Sequence, residues 1–167
     1  GSVILISGPV YLSDIPEVKM IKVGSSLEMQ KAVLRNISKA DYIFMAAAVS
    51  DYTPTRQFTS KMKRSKANLV LDLEPAPDIL KSIIDEKKPI KIAFALETDN
   101  GEKEALRKMK DKKTDFIILN YANEDGAGFD SNTNRVTIFN KNGQSLELKK
   151  DRKDRIAKKI IEYILKK

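Results

Sequence analysis

Four short apolar runs, "VILIS", "DYIFMAAA", "IKIAFALE" and "DFIILNY", are separated by helix-periodic stretches, and this alternation constrains the fold more than any other feature of the chain. Runs of this length, rich in β-branched and aliphatic residues, suit strands covered on both faces. A strand, helix, strand order then requires crossover connections, so a largely parallel sheet flanked by helices follows.

The remaining segments fill in the order. "KMIKV" is predicted as a second short strand, and "SSLEMQKAVLRNISKA" as a helix with a serine cap, a first-turn glutamate and an apolar stripe of Leu27, Met29, Val33, Leu34 and Ile37. "NLVLDLE" alternates Leu69, Leu71 and Leu73 as a strand would, and "PAPDILKSIIDEKK" is predicted as a helix introduced by prolines. Residues 101 to 113 form a polar helix with Ala105, Leu106 and Met109 to bury. "ANEDGAGFDSNTN" is a loop, and "RVTIFNKNGQSLELKK" a β-hairpin turning at Asn142-Gly143. The last 17 residues are amphipathic, with Ile156, Ile160, Ile161, Ile164 and Leu165 on one stripe. The expectation is an α/β fold, a Rossmann-like three-layer sandwich with a mostly parallel sheet and a C-terminal β-hairpin, formed by residues 1–167 as a single domain.

Composition narrows the chemistry. The chain of 167 residues has no cysteine and no histidine, which removes disulfides, thiolates, imidazole bases and the common zinc sites. Lysine, arginine, carboxylates, amides and backbone remain, a palette suited to binding phosphate and stabilising negative charge. A formal charge of +8 also points to an anionic partner, although "ELKKDRKDR" and "LKK" read equally as a solvated face. No apolar run approaches the ~20 residues of a membrane span, and no signal segment opens the chain.

In doubly wound sheets ligands sit beyond the carboxyl ends of the strands. The unusual loops 7–9, 46–51, 97–99 and 120–123 all follow strands there, while G-x-G-x-x-G and Walker A signatures are absent. Ala46, Ala47 and Ala48 allow a flat ligand to approach the backbone, or make room for a packed helix. Asp51 can accept from ribose or base, or serve as a turn residue. Lys61, Lys63 and Arg64 can hold phosphates, or form a solvated loop edge. Lys108 and Lys112, spaced i,i+4, can meet one anion or complement a helix C-terminus. Phe94 is core, or a stacking ring where a base lies over it.

The series "LISGPV", "AAAVSDYTP", "SKMKR", "PAPDIL", "AFALET", "KDKKTDFIILN" and "GFDSNTNRV" closely resembles phosphopantothenoylcysteine synthetase, in the same order and over essentially the whole chain. The bacterial type of this coenzyme A pathway ligase uses cytidine triphosphate to activate 4′-phosphopantothenate as an acyl-cytidylate; cysteine then displaces cytidine monophosphate. The resemblance implies that Met45, Ala46 and Ala47 line the cytosine pocket, with Asp51 a further nucleotide contact. It implies that Lys61 contacts the nucleotide and stabilises charge during acyl transfer. Ala76, Pro77, Asp78 and Ile79 match a nucleotide-contacting turn that usually begins with asparagine, so only backbone contacts are expected at Ala76. Phe94 matches a nucleotide-binding aromatic, and Lys108 and Lys112 the two lysines of the nucleotide site. Magnesium is implied with CTP, held by phosphate oxygens, with no protein metal ligands.

Relative to the family the chain is expected to be incomplete at its N-terminus: an earlier strand, a glycine-rich turn and a "TN.SSG"-type helix start are not among these residues. Without them, nucleotide binding with little turnover is expected. A cytoplasmic homodimer is also implied, with residues 134 to 150 as a candidate pairing element. CTP, 4′-phosphopantothenate and cysteine are the expected partners, with neither nucleic acid nor membrane. The alternatives are an ATP-using form of the same ligase and a basic α/β nucleic-acid-binding domain; the latter predicts charges on one face with exposed aromatics, against dispersed charges and no tryptophan here.

Overall fold

The computed structural model describes residues 1–10, 15–56, 58, 60–63, 68–97, 101–121 and 131–166. Arg64, Thr98, Asp99 and the loop 122–130, all singled out above, lie outside the described residues. In chain order the elements are β1 (Ile4–Ser7), β2 (Lys19–Lys22), α1 (Ser26–Asn36), β3 (Tyr42–Met45), β4 (Tyr52–Pro54), β5 (Leu73–Pro75), α2 (Ile79–Ser82), β6 (Ile90–Glu97), α3 (Gly101–Asp111), β7 (Phe116–Tyr121), β8 (Thr133–Asn140), β9 (Ser145–Arg152) and α4 (Lys153–Leu165). They form two compact units, Gly1–Asn36 with Ala47–Ile83, and Ile37–Ala46 with Ile84–Lys167.

The second unit contains the five-stranded sheet, ordered β3-β6-β7-β8-β9. The β3–β6 and β6–β7 ladders are parallel, whereas β7–β8 and β8–β9 are antiparallel, so the sheet is mixed: a parallel half is completed by the hairpin. Successive strand residues face opposite ways. Ile92, Phe116, Ile118, Val136 and Ile138 therefore share one face, where they pack with Ile156, Ile160 and Ile164 of α4. On the other face Gly101, at the start of α3, sits against Leu119. Helix, sheet and helix make three layers, as the apolar runs of β6 and β7 predict.

The hairpin turn is fixed by polar chemistry. Gly143 has φ +79°, a left-handed conformation open to glycine at little cost, and the Asn140 side-chain oxygen accepts from the amides of Asn142 and Gln144, each at 3.0 Å. In α4 the stripe is narrower than the sequence predicts. Ile156, Ile160 and Ile164 are buried, while Ile161 and Leu165 are exposed, because a helix on one sheet face covers only its i, i+4, i+8 row.

In the first unit β1 and β2 pair in parallel, and α1 follows with the expected cap: the Glu28 amide donates to Ser25 Oγ at 3.2 Å, and the Glu28 carboxylate accepts from the Gly24 amide at 2.6 Å. Met29, Ala32 and Val33 are its buried residues; Leu27 and Leu34 of the predicted stripe are exposed. The strand predicted over residues 68–74 is shorter, with only Leu73–Pro75 paired to β4. Hydrogen bonding continues one step past each proline, from the Thr55 amide to the Asp72 carbonyl at 3.0 Å and from the Ala76 amide to the Asp51 carbonyl at 2.8 Å, and Leu69 and Leu71 lie outside the ladder. Its alternating leucines, Leu69, Leu71 and Leu73, are exposed, since a two-stranded ribbon has no buried face of its own. The helix predicted over residues 75–88 is a single turn, α2. Asp78 starts it as N-cap, and Ile83 closes it as C-cap, its amide donating to the Leu80 carbonyl at 3.3 Å.

Candidate functional site

The charged groups at the amino end of the sheet are structural. Lys91, buried in β6, donates from Nζ to the Ile84 carbonyl at 3.0 Å, and Asp115 accepts both the Lys91 amide at 2.9 Å and Lys141 Nζ at 2.6 Å. Met45 and Ala46 lie at the carboxyl end of β3 and Glu97 at that of β6, whereas Lys112 follows α3 just before Asp115 and so lies toward the amino end. Met45 is registered beside Ala93, and Ala46 leaves β3 exposed. Phe94 is half-buried and packs toward the α4 core, so its ring lies on the face opposite α3.

On the α3 face, Lys108 Nζ meets Glu97 Oε1 at 2.5 Å. The Lys112 amide continues the turn with a 3.0 Å bond to the Lys108 carbonyl, and the Lys112 side chain is half-buried. The two lysines thus occupy one helical face, as their spacing predicts. Beside β6, Asn120 of β7 donates to the Ala95 carbonyl at 3.3 Å and accepts from Asn134 Nδ2 at 2.8 Å. These amides tie the carboxyl ends of β6 and β7 to the amino end of the antiparallel β8. On the outer side of α3, the Arg107 guanidinium is held above its ordinary range, chiefly by its hydrogen bond to Glu104.

The division between the units falls inside the alanine run, between Ala46 and Ala47. In the first unit Ala47 and Ala48 are exposed, and the Val49 amide folds back to the Ala47 carbonyl at 3.1 Å. The β4–β5 ribbon then joins two separated segments, because the Ala76 amide donates to the Asp51 carbonyl at 2.8 Å at its base. Asp51 is thereby placed beside the turn of Ala76, Pro77, Asp78 and Ile79. The Asp78 carboxylate accepts the Lys81 amide at 3.2 Å as the α2 cap, and Ile79 is buried, its carbonyl accepting from Ser82 Oγ at 2.7 Å. Lys61 is exposed, outside any strand or helix, in the connection between β4 and β5. A groove of about 320 Å³ lies beyond the carboxyl ends of β1 and β2, between residues 7–10 and the stretch from Met20 to Gly24.

Sequence reasoning gave no role to Glu97 as a partner of Lys108, or to the Asn120–Asn134 pair. An acid closing a buried strand with a glycine four residues on, opening a helix, was the available signal for Glu97. The asparagines carry no such local pattern, since residues 120 and 134 meet only through the sheet register.

The fold defines an α/β protein with a central mixed sheet between helices. The family described as "DNA/pantothenate metabolism flavoprotein C-terminal domain" matches residues 1–167, and the chain belongs to it. Among curated relatives, the coenzyme A biosynthesis bifunctional protein CoaBC of Bacillus subtilis (strain 168) is 42% identical over 149 residues, covering 87% of this chain and 36% of that protein. A cysteine/cysteine sulfinic acid decarboxylase from an unknown prokaryotic organism is 36% identical, covering 99% and 47%. The chain therefore spans between a third and a half of the length of these relatives. The crystal structure of the C-terminal domain of a CoaBC protein superposes with a TM-score of 0.80 at 32% identity, covering 98% of this chain and 74% of that one.

Proposed function

We propose that this chain carries the phosphopantothenate–cysteine ligase step of coenzyme A biosynthesis, with CTP as the activating nucleotide. The observation that carries this reading is the whole-length kinship with the C-terminal domain of CoaBC, at 32% identity and a TM-score of 0.80. The sulfinic acid decarboxylase relative extends well beyond the region shared with this chain, so its printed activity need not reside in that region.

In the proposed reaction the 4′-phosphopantothenate carboxylate attacks the α-phosphorus of CTP. Pyrophosphate leaves, and an acyl-cytidylate forms. The cysteine amine then attacks the acyl carbon, cytidine monophosphate leaves, and the amine gives up its proton as the amide forms. Both steps develop negative charge on phosphate oxygens, and a protein without histidine can accelerate them by placement and by fixed cations. Met45, Ala46 and Ala47 would present main-chain groups to the cytosine, with Asp51, residues 76–79 and Phe94 as further nucleotide contacts. Lys108 and Lys112 would hold the phosphates, and Lys61 would stabilise charge at the reacting centre.

Magnesium is proposed to enter with the nucleotide, where it would offset phosphate charge. Its ligands would be phosphate oxygens and water. Among the described residues, no helix is long and apolar enough to cross a membrane. Cytoplasmic location and a homodimer are the corresponding proposals for the protein as a whole.

Calorimetric titration with CTP, ATP, NAD and a short oligonucleotide, each with magnesium, tests this reading. It requires saturable CTP binding that exceeds ATP binding, and binding of NAD or the oligonucleotide in preference to CTP overturns it.

A further inference from the structure

Lys108 is a flexible lysine in the last turn of α3, yet it is anchored. Its ammonium lies 2.5 Å from Glu97 Oε1, and the two side chains differ in cover: Glu97 is 16% exposed and Lys108 39%. The carboxylate thus belongs to the more deeply covered side chain of the pair.

The backbone is shaped to bring the carboxylate there. Gly101, Ala105 and Lys108 follow one another up a single face of α3, at i, i+4 and i+7. A methyl group on Gly101 would stand 3.1 Å from Glu97 Cβ and 3.3 Å from Leu119 Cδ1, so the missing side chain lets the end of β6 lie directly against the first turn of the helix. From that position Glu97 reaches two turns along α3 to Lys108. A single contact between long surface side chains could be incidental; a buried glycine at the point of closest approach makes it part of the packing.

We propose that Glu97 is a positioning residue for the nucleotide phosphates, acting through Lys108. Its carboxylate takes one of the three ammonium donors and fixes the lysine stem, leaving the other donors directed outward for an anionic oxygen. A lysine stem loses considerable rotamer freedom when it is fixed, and the pair pays that cost before ligand arrives. This inference rests on the nucleotide reading above, but it concerns a residue to which that reading gives no part.

The test is calorimetry of CTP and CMP, with magnesium, on the unsubstituted chain, Glu97→Ala, Glu97→Gln, Lys108→Ala and the Glu97→Ala/Lys108→Ala double variant. Glu97→Ala is expected to weaken CTP binding roughly tenfold while leaving CMP within about twofold, and to have no further effect once Lys108 is alanine. Glu97→Gln keeps the shape of the side chain and an oxygen that accepts from the ammonium, so its CTP loss should stay within about threefold. It also reads the sign of the effect if the alanine variant does not fold.

Tighter CTP binding by either Glu97 variant would show a carboxylate competing with the phosphates, and overturns the proposal. So do losses that add to those of Lys108→Ala, or equal losses for CTP and CMP, which mark a merely structural role. If the unsubstituted chain binds CTP and Glu97→Ala leaves the affinity unchanged, this inference alone falls. If the unsubstituted chain binds neither nucleotide, the reading of the site falls with it.

Discussion

The Ala76 amide donates to the Asp51 carbonyl at 2.8 Å, joining the end of the alanine segment to the turn before α2 across 25 residues of sequence. Below this bond Tyr52 pairs with Pro75 and Thr53 with Glu74. Ala76→Pro would remove the donor. It is expected to release Asp51 from the turn and to weaken CTP binding at least about fivefold, since a main-chain contact set depends on where the chain is held. The structure of the five-stranded sheet should be unaffected, because neither residue belongs to that unit. Calorimetry with CTP, alongside amide exchange of β6 and β7, checks both parts.

Gly101 sets the distance between β6 and α3. In Gly101→Ala the new methyl meets Glu97 Cβ at 3.1 Å and Leu119 at 3.3 Å, and Leu119 is fully buried. Overpacking of this kind costs about 1 to 3 kcal/mol. A fall of the melting temperature by at least about 2 °C is expected. The substitution should also weaken CTP binding by displacing Glu97, which a thermal scan and a titration on one preparation would show together.

Acid should loosen α4 first. Asp151 is held below the ordinary aspartate range, chiefly by the hydrogen bond from Lys159 at 2.8 Å, and Asp154 likewise by Arg152 at 3.0 Å. A carboxylate whose folded pKa is depressed contributes stability above its unfolded value and loses it as pH falls through the folded value. The melting temperature should therefore hold above pH 5 and decline below about pH 4. Asp151→Asn should flatten that acid limb, while an unchanged limb would place the acid sensitivity elsewhere.

Much of the second unit was legible in sequence because its central strands, β6 and β7, are covered on both faces. In β6 and β7 continuous apolar runs can be read without knowing their neighbours, and the Asn142-Gly143 turn states its own geometry. The β4–β5 ribbon was not legible in the same way. Leu69, Leu71 and Leu73 alternate as a half-buried strand would, but alternation shows only that one face is apolar; of the three only Leu73 reaches the ladder, and all are exposed. Of the candidate site, the i,i+4 spacing of Lys108 and Lys112 was local and readable. The partnership of Glu97 with Lys108 depends on how closely a helix lies on a strand, which the sequence records only as a glycine.

Lys61 offers a separate readout, since it is exposed in the connection between β4 and β5, where a change of side chain disturbs little packing. In the full-length protein Lys61→Gln is expected to leave the melting temperature unchanged and to slow acyl-cytidylate formation about a hundredfold, the scale of one preorganised charge in a transition state. Single-turnover kinetics with phosphopantothenate check this, and an equal loss of substrate binding would assign Lys61 to binding alone.

On the proposed function, this domain activates an acid with a cytidine nucleotide and passes it to cysteine. Pyrophosphate release by the full-length protein measures it most directly. The proposed ligase step requires release that depends on both CTP and 4′-phosphopantothenate, with cysteine then needed for the liberation of CMP. Absence of pyrophosphate release with CTP and 4′-phosphopantothenate together, or release that does not depend on phosphopantothenate, would contradict it.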